Sequence, residues 1–176
     1  MFISEVLETA RETGGILTAP AATEKALEKT LKGLEKMKLV LPSEYQNFLK
    51  ETNGLYWGGI EFFGTDITRK ENGCITDLVT QNTFYQKLNK KGSPLFLGRS
   101  DEENFLYDSA EKKYLIVDEF SKEVAKDFSL FEQMFEYLMM EQNELIQNCV
   151  GFSPEETAEE DDEELENGLV DLHFFK

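Results

Sequence analysis

The chain has 176 residues, which suits one domain, and it is 40% hydrophobic and 12% aromatic with 14 Phe, enough apolar surface to offset the entropy of ordering a compact fold. Its 35 acids against 18 bases give a formal net charge of −17, a field that repels phosphate backbones and disfavours nucleic-acid binding, while it steers in a basic protein or simply maintains solubility. Two distant cysteines, Cys74 and Cys149, read as free thiols, and the lone His173 lies near the end, so the spacings of zinc sites and of Ser-His or Cys-His catalysis are missing.

No apolar run approaches the length that spans a bilayer, and Glu5, Glu8 and Arg11 interrupt any signal-peptide pattern, so the chain reads as cytosolic. Phe2, Ile3, Val6, Leu7 and Ala10 recur at helical spacing until Gly14 and Gly15 stop the pattern. After Pro20, Leu27, Leu31 and Leu34 form one face of a second helix, with Glu24, Lys25, Glu28, Lys29, Lys32 and Glu35 outside. Leu39, Val40 and Leu41 lead into Pro42, which pre-sets φ for a third helix. Tyr45, Phe48 and Leu49 make the buried face of that helix, and Asn53-Gly54 supplies left-handed residues that close it.

Beyond Gly54 the period becomes twofold. Tyr56, Gly58, Ile60 and Phe62 share one phase and Leu55, Trp57, Gly59 and Glu61 the other, which predicts a single strand with Tyr56 inward and Trp57 exposed. Thr65 to Gly73, ending in Asn72-Gly73, reads as a loop, and Ile75 to Leu88, with Leu78, Val79, Phe84, Tyr85 and Leu88, holds a short helix. Leu95 to Leu97, Phe105 to Tyr107 and Tyr114 to Val117 read as an antiparallel meander. From Ser129, a helical face of Leu130, Phe131, Met134, Phe135, Leu138 and Met139 is large enough to lie across a sheet, which gives an α+β fold. The domain is expected over residues 1–152. Residues 153–176 carry ten acids and one base, so −9 of the −17 lies there; they read as a mobile acidic tail whose end, Leu169, Val170, Leu172, Phe174 and Phe175, is apolar again and suited to docking on the body or a partner.

The run Leu41-Pro42-Ser43-Glu44-Tyr45-Gln46-Asn47-Phe48-Leu49, followed by Asn53-Gly54 and then Ile60 and Phe62, resembles the signature of the SUKH superfamily: Leu-Pro, an acid, Tyr, Phe-Leu, then Asn-Gly. The similarity extends over roughly residues 20 to 145, from the preceding helix with Leu34 to the meander and the Phe-rich helix. Departures are Leu55 where the family often has Gly, the polar stretch Thr65 to Gly73, and the acidic extension. The resemblance implies an antiparallel, mostly meander sheet flanked by helices, and a module that binds proteins without catalytic residues. Bacterial members are typically immunity proteins that hold a toxin, often a nuclease, inactive; fungal members are scaffolds for cell-wall synthesis and signalling.

Chemistry finds little to stand on in the sequence. Gly54, Gly58 and Gly59 form neither a dinucleotide fingerprint nor a P-loop. Glu61 with Asp66, and Asp101 with Glu102 and Glu103, are pairs that a chain with 35 acids supplies by chance, and the second group lacks the Gly and terminal Glu of a calcium loop. No catalytic residue, cofactor or metal ligand is assigned. The expected activity is binding of a protein partner, a basic toxin first, with Trp57, Glu61, Asp66, Asp101, Glu102 and Glu103 as candidate contacts and no nucleic acid or membrane involved. An intracellular regulatory scaffold of the same fold is the alternative, and an enzyme of unknown type the third.

Overall fold

The computed structural model describes residues 3–71, 73–89 and 92–150. Phe2, Asn72, His173 and the acidic segment 153–176 with its apolar end lie outside them, as do the side chains of Val6, Ala10 and Cys149. The described elements are α1 (Ile3–Thr13), β1 (Leu17–Thr18), α2 (Glu24–Lys36), α3 (Ser43–Glu51), β2 (Leu55–Trp57), β3 (Ile60–Phe62), β4 (Thr68–Lys70), β5 (Gly73–Ile75), α4 (Leu78–Leu88), β6 (Leu95–Arg99), β7 (Glu103–Asp108), β8 (Lys113–Asp118), β9 (Val124–Phe128) and α5 (Phe131–Val150). Seven strands make one antiparallel sheet in the order β1-β2-β3-β6-β7-β8-β9, and β4 pairs only with β5. The fold is α+β, as the periodicities imply, and β6, β7 and β8 are the expected meander. None of the described helices is long and apolar enough to cross a membrane.

The residues of the Leu-Pro helix account for much of the assembly. Pro42 sits at the N-cap of α3, and Tyr45, Phe48 and Leu49 are fully buried. The Phe48 ring lies 5.2 to 5.9 Å from those of Tyr45, Phe62, Phe131 and Phe135, so α3, the sheet and α5 meet at one aromatic cluster. The Tyr45 hydroxyl reaches the carbonyls of Phe63 (2.8 Å) and Leu97 (2.9 Å), and burial raises its pKa well above the ordinary tyrosine value, with the Glu61 charge adding to the effect. Glu44 turns outward from the same helix to accept the Phe131 N–H at 2.8 Å, capping the first turn of α5 with a carboxylate where the helix dipole favours negative charge. On α5, Phe131, Met134, Phe135, Leu138 and Met139 are buried as their spacing implies, whereas Leu130 precedes the helix and is exposed.

Four expectations need correction. Leu55 to Phe62 is a hairpin rather than one strand: Gly58 and Gly59 take φ of 56° and 90°, the pattern of the two-residue turn that matches strand twist. The turn reverses the chain, so Trp57 lies opposite Ile60, and Leu55 opposite Phe62. Parity counted straight through the turn therefore assigns the wrong faces. Trp57 is buried, 2% exposed, with its indole N–H donating to the Gly14 carbonyl at 3.2 Å, while Tyr56 is the half-exposed one.

The second correction is at the end of α3, where Thr52 is extended (φ −147°) and only Gly54 is left-handed. Asn53 is instead a buried staple: its side-chain carbonyl accepts the Thr65 N–H at 2.7 Å and its amide donates to the Thr65 hydroxyl at 2.9 Å. The third is the stretch Thr65 to Gly73, which contains β4 and the start of β5 rather than a loop throughout. Finally, β1 and β9 join the sheet although neither was expected. Leu17-Thr18 is too short for a period, and Val124 to Asp127 is exposed on both faces, so it carries no alternation to read.

Candidate functional site

One row of residues crosses the whole sheet in register. Leu17 lies opposite Tyr56, Tyr56 opposite Glu61, Glu61 opposite Arg99, Arg99 opposite Asn104, Asn104 opposite Val117, and Val117 opposite Val124. Directly opposed residues point to the same face, so the row runs along the side away from the α3 and α5 aromatic cluster. Its middle members, Tyr56, Glu61, Arg99 and Asn104, line an open groove of about 760 Å³.

Helix α4 forms the other wall. It starts with the Asp77 carboxylate accepting the Thr80 N–H at 2.8 Å, and Asn82 fixes it to the sheet. The buried Asn82 amide donates to the carbonyls of Leu78 (2.9 Å) and Phe96 (2.8 Å), and its oxygen accepts the Phe96 N–H at 2.8 Å. Anchored this way, α4 presents Gln81, Phe84, Tyr85 and Leu88 to the groove. Tyr85 stacks on Phe96 with centroids 4.7 Å apart, and its hydroxyl pKa is raised by burial and then by the nearby Glu119 charge. Phe84 and Leu88 stay 56% and 86% exposed.

The polar floor is largely self-satisfied. Glu61 Oε1 accepts from the Thr76 N–H (2.7 Å) and hydroxyl (2.6 Å), and Oε2 from Arg99 Nε (3.1 Å). The Glu61 side chain is only 6% exposed and that of Arg99 48%. With Nε engaged, the terminal guanidinium nitrogens of Arg99 remain as donors towards the groove. The Asn104 amide donates to Glu119, and Glu119 also pairs with Lys122 at 3.2 Å. Among the described residues no three His, Cys, Asp or Glu side chains gather as a metal site, and Cys74 is a free, half-buried thiol.

The six candidate contacts do not form one face. Trp57 belongs to the core and Glu61 to the buried floor. Asp101 lines the groove. It sits in the β6–β7 turn, where the Ser100 hydroxyl accepts the N–H of Glu102 (3.4 Å) and of Glu103 (3.1 Å). Glu102 is exposed, but Glu103 is half-buried, and its pKa is raised by burial first and then by Glu141, Glu102 and Asp118. Asp66 is exposed in a different hollow, beside α2, and accepts a hydrogen bond from the Thr65 hydroxyl at 2.9 Å. Sequence reasoning missed Arg99, Asn104, Phe84 and Leu88. The last two were readable as apolar positions of a short helix, but nothing local says that the helix leaves them outside.

Compared with known proteins, the chain matches no family model, and no curated protein matches it.

Proposed function

We propose that the chain is a non-catalytic protein-binding module of the SUKH type, and that it serves in the cytoplasm as a bacterial immunity protein that occludes a cognate basic toxin. The observation that carries the binding reading is the pair Phe84 and Leu88, both exposed on the wall of an open groove whose floor offers Arg99 donors and whose rim carries Asp101 and Glu119. Leaving a large apolar side chain in water forgoes about 1.5–3 kcal/mol that burial would return, and a partner covering both would recover it. Aromatic and aliphatic anchors beside charged groups are the usual anatomy of an interface centre. The toxin assignment rests on the resemblance of Leu41 to Gly54, and a basic partner suits the net charge of −17.

The test is co-expression of the chain with the product of the gene beside its own, if that product arrests growth when expressed alone. Growth should be restored by the parent protein and lost with the double variant Phe84→Ser/Leu88→Ser, while circular dichroism shows the variant folded. Restored growth with the variant would remove the groove from the interface. If the parent binds the neighbouring product but restores no growth, the immunity role fails and the regulatory scaffold takes its place.

A further inference from the structure

Helix α2 carries a feature at odds with the acidity of the rest of the chain. Lys25, Lys29, Lys32 and Lys36 recur at i, i+4, i+7 and i+11, which places them in one stripe along the helix. All four are exposed, and no ion pair joins any of them to a described carboxylate. The stripe borders a hollow of about 1030 Å³ that also takes in Glu28, Asp66, Asp77 and the exposed Ile67. Two of those acids are already engaged, Asp66 by the Thr65 hydroxyl and Asp77 by the N–H of Thr80. Along the other flank of α2 lies a mainly apolar hollow whose walls are Leu31, Leu39, Val40 and Leu41, with Glu28, Lys32, Glu35 and Gln46 also lining it and Val40 65% exposed.

The sequence holds a segment with the complementary order. Nine of the twelve residues from Glu155 to Glu166 are acidic, and Leu169, Val170, Leu172, Phe174 and Phe175 follow. We propose that this C-terminal segment docks on α2, its carboxylates along the lysine stripe and its apolar end in the Val40 hollow. The charges are complementary in sign, and the order of the segment, an acidic run and then an apolar end, suits a cationic stripe and an apolar hollow that share Glu28 and Lys32 in their walls. Reach is sufficient: the sixteen residues from Gly151 to Glu166 extend to roughly 55 Å, more than the breadth of a domain whose radius of gyration is on the order of 15 Å. The docked segment would shield the lysine stripe of α2 from acidic partners, and the hollow it fills shares no lining residue with the groove.

Zero-length carbodiimide cross-linking of the full chain, at a dilution where it is monomeric, tests this directly. The monomer fraction should yield amide links between Glu155 to Glu166 and Lys25, Lys29, Lys32 or Lys36, and these should be lost in 1 M NaCl, where the screening length falls to about 3 Å. The variant Val40→Asp should lower the yield at all four lysines with an unchanged melting curve; an unchanged yield overturns the apolar anchor. Links spread evenly over Lys112, Lys122 and Lys126, links found only in covalent dimers, or no links at all would each overturn the docking.

Discussion

The two faces of the sheet are built from alternate residues of the same strands, yet they do opposite things. On one face Leu55, Ile60, Phe62, Phe105 and Ile116 meet α3 and α5 in a buried, aromatic interior. On the other, Tyr56, Glu61, Arg99 and Asn104 form a row that α4 covers only in part, and the uncovered part is the groove. The faces differ in closure as well as in composition. Helix α5 has twenty residues and spans its face, whereas α4 has eleven and is held on β6 by Asn82. A closed face can be dry, but an open one must satisfy its own polar groups and leaves apolar side chains for a partner.

The comparison predicts that the closed face holds the fold. Phe48→Ala empties a fully buried site ringed by Tyr45, Phe62, Phe131 and Phe135, and should cost about 3–5 kcal/mol in urea melts. A near-neutral result would mean that α3 does not seat against α5 as described, and the asymmetry of the two faces would go with it.

The polar floor of the open face should come next. Glu61→Ala strips the partner from two Thr76 donors and from Arg99, and losing partners of buried donors costs about 1–3 kcal/mol. It should stay below the figure for a fully buried ion pair because Arg99 is half exposed and regains water. Arg99→Ala leaves Glu61 with both Thr76 bonds, and should cost about 1 kcal/mol or less. Equal losses in the two variants, by chemical denaturation, would show that the ion pair rather than the Thr76 clamp matters.

How much of this was legible in the sequence follows the range of the interactions. Helices α2, α3 and α5 and strands β6 to β8 were readable because a local period reports one buried face, and Pro42 marks a helix start by its own covalent geometry. The roles of Glu44 and Asn53 were not readable, since each depends on a residue distant in the chain: Phe131 for one, Thr65 for the other. The Gly58-Gly59 turn was written plainly in the sequence, and reading through it put Trp57 on the surface and Tyr56 inside. The groove was least accessible of all, because its floor takes one residue from each of β2, β3, β6 and β7, and only the register brings them into line.

On the groove wall the expected stability effect is small. Phe84→Ser and Leu88→Ser remove side chains already in water, so each should fall within about 0.5 kcal/mol of the parent in the same melts. A loss of several kcal/mol from either would mean that α4 packs more tightly than its exposure shows, and the open face would be structural rather than available for binding.

The smallest effect lies at one end of the strands, where β7 begins and β8 finishes. Glu103 on β7 stands opposite Asp118 on β8, with Glu102 and Glu141 nearby, and Tyr137, whose pKa is pushed up to about 12 by its hydrogen bond to Glu141 and by burial, holds that second carboxylate in place. Burial and these like charges raise the Glu103 pKa above its ordinary value of 4.5. A carboxyl whose pKa is higher in the folded than in the unfolded chain holds its proton longer when folded, so stability falls as pH rises from that ordinary value through the raised one. The penalty is then fully present at neutral pH and absent below about pH 4. Glu103→Gln keeps the shape and removes the charge. Its melting temperature should exceed that of the parent at pH 7, and the gap should close as the pH is lowered to 4. A gap of the same size at both values would place its origin in packing, and the charge crowding at these strand ends would contribute nothing to the stability of the sheet.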